Sequence, residues 1–306
     1  MLVLILGSAA GGGFPQWNCS CPNCSGLRSG SFSGKARTQT QVAVSDGGRD
    51  WFLLGASPDL HAQIESTPVL HPREGVRQSP IAGAVLANAD LDHTLGLLIL
   101  RELQPLRIYS TAAVRHILRD DNSMFAMLER VPNQAVWTPL IPGDDFQLQT
   151  PPGRDTGLRC QAVSLADHFP AYVSQARQQK LRPEESSVGL IVAAPSGARL
   201  AFFPAVPAVD DVLLAVLNST DVVFFDGTFW SDDELIRTQG SGQTARQMGH
   251  MPVRETLVKL SGLSRPRKIF LHVNNTNPIL NHDSPECREV RAAGWEIAED
   301  GWQLTL

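Results

Sequence analysis

Asn88-Ala89-Asp90-Leu91-Asp92-His93 follows an apolar run at residues 81–87 and precedes an amphipathic stretch that starts near Thr94. In an extended segment, side chains alternate, so residues 88, 90 and 92 project to one side. A turn into a helix then brings His93 round to join them. Three polar side chains and a histidine converge where a strand ends, which is where open α/β sheets place their ligands. Taken alone, the segment is explained equally well by a polar strand-to-helix turn, with Asp92 or a neighbour capping the helix. Other histidines favour the metal-binding alternative. His272 closes the apolar run Lys268-Ile269-Phe270-Leu271-His272. His168 sits just after another strand, and His250 lies in Met248-Gly249-His250-Met251-Pro252, just before a helix.

Working outward, short β-branched or aromatic runs alternate with amphipathic stretches. Strands are predicted at residues 2–6, 41–44, 51–54, 81–87, 107–109, 161–165, 188–192, 200–203, 222–225, 268–272, 295–297 and 302–306. Helices are predicted at 94–103, 112–120, 210–217, 253–260 and 285–293, each with apolar residues three or four apart. Ser284-Pro285 reads as a capped start with proline in the first turn. This alternation predicts a layered αββα sandwich ahead of a doubly wound sheet. Residues 142–154 and 174–187 are expected to be insertions or lids. Neither is a convincing linker, so one domain over 1–306 is expected.

Hydrophobic residues make up 42% of the 306, enough to build a core without disulfide staples. A net charge of -5 and a pI near 5.9 speak against nucleic acid, which wants a basic face. Met1-Leu2-Val3-Leu4-Ile5-Leu6 is apolar but has no basic start and meets Gly7 at once. It reads as a first strand rather than a signal peptide. No segment approaches the ~20 apolar residues of a membrane span. These features predict a cytoplasmic protein without membrane partners; a homodimer is compatible with them.

Three of the five cysteines stand in Cys19-Ser20-Cys21-Pro22-Asn23-Cys24. An odd count with one tight cluster does not resemble a secreted disulfide framework. Three thiolates in one loop suit zinc, which favours soft ligands in tetrahedral geometry. A structural zinc pinning the loop after the first strand is expected, with a redox role secondary.

A strand, a loop of alternating polar ligands ending in Asp-His, and a helix resemble the His-x-His-x-Asp-His signature of the metallo-β-lactamase superfamily. Leu6-Gly7-Ser8-Ala9 after the first strand fits as well. Gly11-Gly12-Gly13-Phe14-Pro15-Gln16-Trp17-Asn18-Cys19, with His272-Val273-Asn274-Asn275-Thr276-Asn277-Pro278, resembles more closely that superfamily's pyrroloquinoline quinone (PQQ) biosynthesis B family. The resemblance covers nearly the whole chain. It implies a metallo-β-lactamase-type αββα sandwich. It puts Asn88 and Asp90 where two histidines of a first metal site stand, and His168 where the third stands. Asp92, His93 and His272 match the second site. The carboxylate that bridges two metals should follow the strand at 200–203, but Pro204 and Ala205 are there.

The ligand set left by that comparison is two histidines and one carboxylate, as in non-haem iron(II) oxygenases. A single active-site divalent metal, Fe(II), on Asp92, His93 and His272 is therefore expected. Asp90 would add an oxygen ligand or hold a water. His168 would be a weak ligand, a general base or a substrate contact. In phosphodiesterase relatives the fourth zinc ligand is a histidine at the position of Asn275; His282 and Asp283 are alternatives, and the choice stays open. Asp226 is expected to orient a ligand histidine or simply to make a turn before Gly227. His250 would contact substrate or orient a ligand. The resemblance implies PQQ, or its glutamate- and tyrosine-derived precursor, as partner. Ring hydroxylation of that precursor is the expected activity. A PQQ carrier linked to transport, and a metal-dependent hydrolase, are the alternatives.

Overall fold

Short, apolar, β-branched and aromatic runs form most of the strands here, and many of these are buried along their whole length, as strands covered on both faces are. In the computed structural model, residues 1–166 and 168–306 are described. In chain order the strands are β1 (Leu2–Gly7), β2 (Gln41–Ser45), β3 (Trp51–Leu54), β4 (Ile81–Val85), β5 (Leu106–Ser110), β6 (Ala135–Pro139) and β7 (Asp145–Gln149). They continue with β8 (Asp155–Ala166), β9 (Ser187–Ala193), β10 (Arg199–Phe203), β11 (Val222–Asp226), β12 (Arg267–Leu271), β13 (Trp295–Ile297) and β14 (Gln303–Thr305). Among the described residues, no helix is long and apolar enough to cross a membrane.

The strands belong to two compact units, each assembled from separated stretches of chain. The first comprises Met1–Leu6, Gln41–Ala198 and Gly301–Leu306. Its sheet has the order β14-β1-β2-β3-β4-β5-β6. β1 runs antiparallel to β14, and β2 to β3. β3, β4, β5 and β6 are parallel. Trp51, Leu53, Ala84, Leu86, Ile108, Val114 and Phe125 pack in its core. β7, β8 and β9 form an antiparallel meander in the same unit.

The second unit comprises Gly7–Thr40 and Arg199–Asp300. Parallel strands β10, β11, β12 and β13 lie side by side. Helices at Asp211–Asn218, Val253–Lys259 and Pro285–Ala292 make the crossovers that parallel strands require. Asp210 and Ser284 cap two of them, accepting from Leu213 N at 2.7 Å and Cys287 N at 2.9 Å. Phe224, Phe225, Phe270 and Leu271 are completely buried, and Trp295 stacks on Phe270 at 4.2 Å. Phe203 pairs with Phe225 and Asp226 with Leu271, so the carboxyl ends of β10, β11 and β12 lie level.

Two expectations need correction. Residues 142–154 are not a lid: they contain β7, which pairs with β8. Asp145-Phe146-Gln147-Leu148-Gln149 alternates polar and apolar, with Leu148 completely buried, and Tyr109 stacks on Phe146 at 5.2 Å. The flanking Pro-Gly turns disguise the strand. Nor does a helix run over 94–103. The helix is the four-residue turn Leu91–Thr94, tightening into a 3₁₀ turn at Leu95–Leu98. The cause is close backbone packing. Gly96 N donates to Ala56 O at 2.9 Å, and Ala56 N to His93 O at 2.7 Å.

A β-carbon on Gly96 would lie 2.2 Å from Ser57 O, which leaves no room for one. Gly96→Ala is expected to cost about 2 kcal/mol of unfolding free energy, as overpacking against rigid backbone does. Urea unfolding measures it; an unchanged midpoint would refute the packing argument.

Candidate metal centres

In the first unit, β4 delivers the chain to a turn whose shape Asn88 sets. Asn88 is 3% exposed, and its Oδ1 accepts from Asp90 N at 3.1 Å. That bond makes Asn88 a turn-former, a use of asparagine common at such positions. Asp90 precedes the Leu91–Thr94 helix with extended backbone, and its carbonyl accepts from Thr94 Oγ1 at 2.8 Å. His93 is buried and Asp92 half-buried, with His93 Nε2 3.7 Å from Asp92 Oδ2. Two ligand atoms each ~2.1 Å from one ion stand roughly 3.0–3.5 Å apart, so a small side-chain movement would let this pair share a metal.

Tyr172 was not singled out by its sequence. Its hydroxyl donates to Ala89 O at 2.5 Å, between Asn88 and Asp90. Burial, and then the Asp90 charge, push the phenol above its ordinary range, so it remains a donor. A lone tyrosine in a loop carries no sequence signal for such a role. His168 is exposed, ahead of buried Phe169 and Pro170. Asp167 lies outside the described residues.

In the second unit, the level strand ends put Asp226, Thr228, His250 and His272 together. Asp226 is completely buried. Its Oδ1 accepts from Thr228 N at 3.0 Å and Thr228 Oγ1 at 2.6 Å. Its Oδ2 accepts from Val206 N at 2.9 Å and His250 Nδ1 at 2.8 Å. Burial would raise the Asp226 carboxyl, but the charge and hydrogen bond of His250, with His272 and Thr228, hold it below its ordinary value. A carboxylate offers about four acceptor positions, and all are used. Asp226 therefore orients its neighbours, although it lies within ligand-clustering distance of His250 and His272.

The Thr228 hydroxyl carries one proton, and the carboxylate at 2.6 Å is its strongest acceptor. Thr228 Oγ1 must then accept from His272 Nδ1 at 2.8 Å. That assigns the His272 tautomer and leaves Nε2 as the ring's lone-pair nitrogen, the form a metal ligand needs. His250 is anchored through Nδ1 in the same way and stacks on His272 at 5.5 Å. His272 has φ +58, an uncommon conformation for a residue with a side chain. Val273 N donating to Ser8 O at 3.1 Å, Ala10 N to Val273 O and Asn274 N to Thr228 O, both at 3.0 Å, hold it there.

Three residues on, the same loop reaches the cysteines. The Cys19, Cys21 and Cys24 sulfurs lie within 4.8 Å of one another. The Asn275 amide nitrogen stands 3.1, 3.7 and 3.4 Å from them in turn. Amide oxygen and nitrogen exchange by a flip, so Asn275 can turn its oxygen to an ion. Asn23 Nδ2 clamps the loop by donating to Asn275 O at 3.1 Å and Asn277 O at 3.0 Å. His282 is instead engaged by Glu299 at 3.1 Å, and Asp283 is exposed. Of the three candidates for fourth ligand, Asn275 is the one at the sulfurs. Burial drives the Cys21 thiol up to about 12, helped by Cys19 and Cys24. Burial also acts on Cys19, but hydrogen bonds from Cys21, Cys24 and Asn275 outweigh it and lower that thiol. Thiols so unequal share protons that a bound cation would displace.

The sequence matches the Beta-lactamase superfamily domain over residues 50–273, which makes the chain a member of the metallo-β-lactamase superfamily. A coenzyme PQQ synthesis protein B from Gluconacetobacter diazotrophicus is 40% identical over 99% of both chains. That from Klebsiella pneumoniae is 39% identical over 100% of this chain and 98% of its own. Zn(2+)-bound PqqB from Methylobacterium extorquens is 38% identical and superposes with a TM-score of 0.91, covering 100% of each chain. The chain thus belongs to the coenzyme PQQ synthesis protein B family and has the metallo-β-lactamase fold expected of it. A diphosphatase of the PhnP family shares the fold alone, with a TM-score of 0.67 at 17% identity and coverage of 99% and 96%.

Two outcomes follow from the second unit. Thr228→Val removes the hydroxyl that sets the His272 tautomer. It is expected to weaken metal binding roughly 10- to 100-fold, measured by competition against a chromophoric chelator. Unchanged affinity would sink the tautomer assignment. Glu234 is buried, accepts from Thr276 Oγ1 and Trp230 N, and burial pushes its carboxyl from 4.5 up to about 7. Between those values the unfolded chain ionises first, so this group costs stability as pH rises and the cost levels off above about 7. Glu234→Gln should therefore gain on wild type across that window, by on the order of 3 kcal/mol at most. A pH-independent difference in unfolding free energy would contradict it.

Proposed function

We propose that this protein acts in PQQ biosynthesis, hydroxylating the tyrosine-derived ring of a glutamate- and tyrosine-derived PQQ precursor. The observation that carries this reading is the donor set. Asp92 and His93 offer atoms 3.7 Å apart, and the Asp226–Thr228 relay turns His272 Nε2 into a ligand nitrogen. With Asn88 committed to its turn and Pro204 after β10, the residues suit one ion better than a bridged pair. We propose that Asp92, His93 and His272 hold a single divalent metal, Fe(II). Bound iron(II) would supply activation of molecular oxygen, the oxidant that the reaction needs.

The chain's own residues supply the rest. The Asp226–Thr228 relay holds the His272 ring through Nδ1 and so keeps it from rotating. Asp90, beside the Tyr172 phenol, accepts protons or holds a water. His168 is proposed as the general base or substrate contact on the following loop. Cys19, Cys21 and Cys24, with Asn275, are proposed to hold a structural zinc. The zinc-bound relative supports metal use in the family and leaves the identity of the active metal to experiment. All five cysteines are unbridged, which fits a cytoplasmic location.

Asn88 acting as a turn-former also favours a second reading, a PQQ carrier that performs no chemistry. His93→Ala separates the two. The enzyme should lose at least ~100-fold in turnover with the anaerobically iron-loaded protein, as loss of a metal ligand implies. A carrier should show no turnover to lose and should keep its affinity for PQQ. Full activity with zinc alone would overturn the iron assignment.

A further inference from the structure

Trp137 lies on β6, the edge strand of the first unit's sheet, and lines a cleft of about 530 Å³. Arg115, Arg119, Arg130, Glu129 and Asn133 line it too. Arg119 grips Glu129 with two parallel bonds, Nε to Oε1 at 2.5 Å and Nη2 to Oε2 at 3.2 Å. That pair is neutral. The side chains of Arg115 and Arg130 make no hydrogen bond or ion pair among the described residues. Two uncompensated positive charges thus share one cleft in a chain of net charge -5.

Like charges repel, and buried donors without acceptors are destabilising. Arg115 Nε and Trp137 Nε1 are both such donors. Those two nitrogens are closed off, and it is the remaining guanidinium nitrogens of Arg115 and Arg130, lining the cleft without a partner, that mark a place for an acceptor from outside. We propose that this cleft binds a small planar polyanion, with its negative groups on Arg115 and Arg130 and its flat face against the Trp137 indole. Guanidinium forks match carboxylate and phosphate geometry, and an indole face accepts a planar ring. The volume suits one cofactor-sized molecule. An extended nucleic acid would need a continuous basic face, which an acidic chain with one such cleft does not offer. This site is independent of the metal reading.

The test is calorimetric titration of the full-length, metal-loaded protein with PQQ, ATP and citrate, at low and high salt. Either planar probe should bind, more weakly at high salt, and citrate should bind less tightly. A preference for PQQ identifies an aromatic polycarboxylate, and a preference for ATP a nucleotide. Arg115→Gln/Arg130→Gln should weaken binding at least tenfold. Should the double variant melt early, Arg130→Gln alone, at an exposed position, and Trp137→Phe replace it; each should weaken binding severalfold. No binding by any probe, equal binding of citrate, or wild-type affinity in these variants would each overturn the proposal.

Discussion

The Asp226 carboxylate is the constraint on which the second unit's chemistry depends. It is completely buried and takes four hydrogen bonds, from Val206, from Thr228 twice and from His250. An isolated charge there would be prohibitive. Surrounded by donors, it becomes a fixed point that ties the end of β11 to the loop after β10 and orders two imidazoles. The Thr228 hydroxyl passes that order to His272 with a single proton, so the ring's acceptor nitrogen is settled before any ion arrives.

The loop from His272 to Asn277 extends this rigidity. One end carries a histidine in a left-handed conformation, and the middle carries the amide at the cysteine sulfurs. Asn277 Nδ2 closes the far end by donating to Gly227 O at 2.9 Å. A cation at the cysteines would therefore restrain a residue only three positions from His272. The proposed structural and reactive metal sites would share one short piece of backbone.

Much of this was legible in the sequence because periodicity and ligand type speak directly. The strand before Asn88, the Asp-His step, the histidine after β12 and the cysteine cluster all announce themselves. What was not legible arises from contacts between distant stretches. Gly96 ends a helix because Ala56 and Ser57 lie against it, and no local pattern encodes that. β7 hides between Pro-Gly turns and is a strand only because β8 pairs with it. Tyr172 reaches Ala89 across 83 positions of chain. Asn275 stands at the cysteine sulfurs while Glu299 engages His282, and composition foretells neither contact.

The two units are each built from interrupted stretches: β1 opens the first, the chain then serves the second for residues 7–40, and β14 returns to pair with β1. Neither unit is therefore a removable cassette. A single cut anywhere in the chain cannot isolate one of them, and trimming residues 303–305 would strip β1 of an antiparallel neighbour. Reporter insertions belong instead in surface turns such as that around Val76, which is 98% exposed.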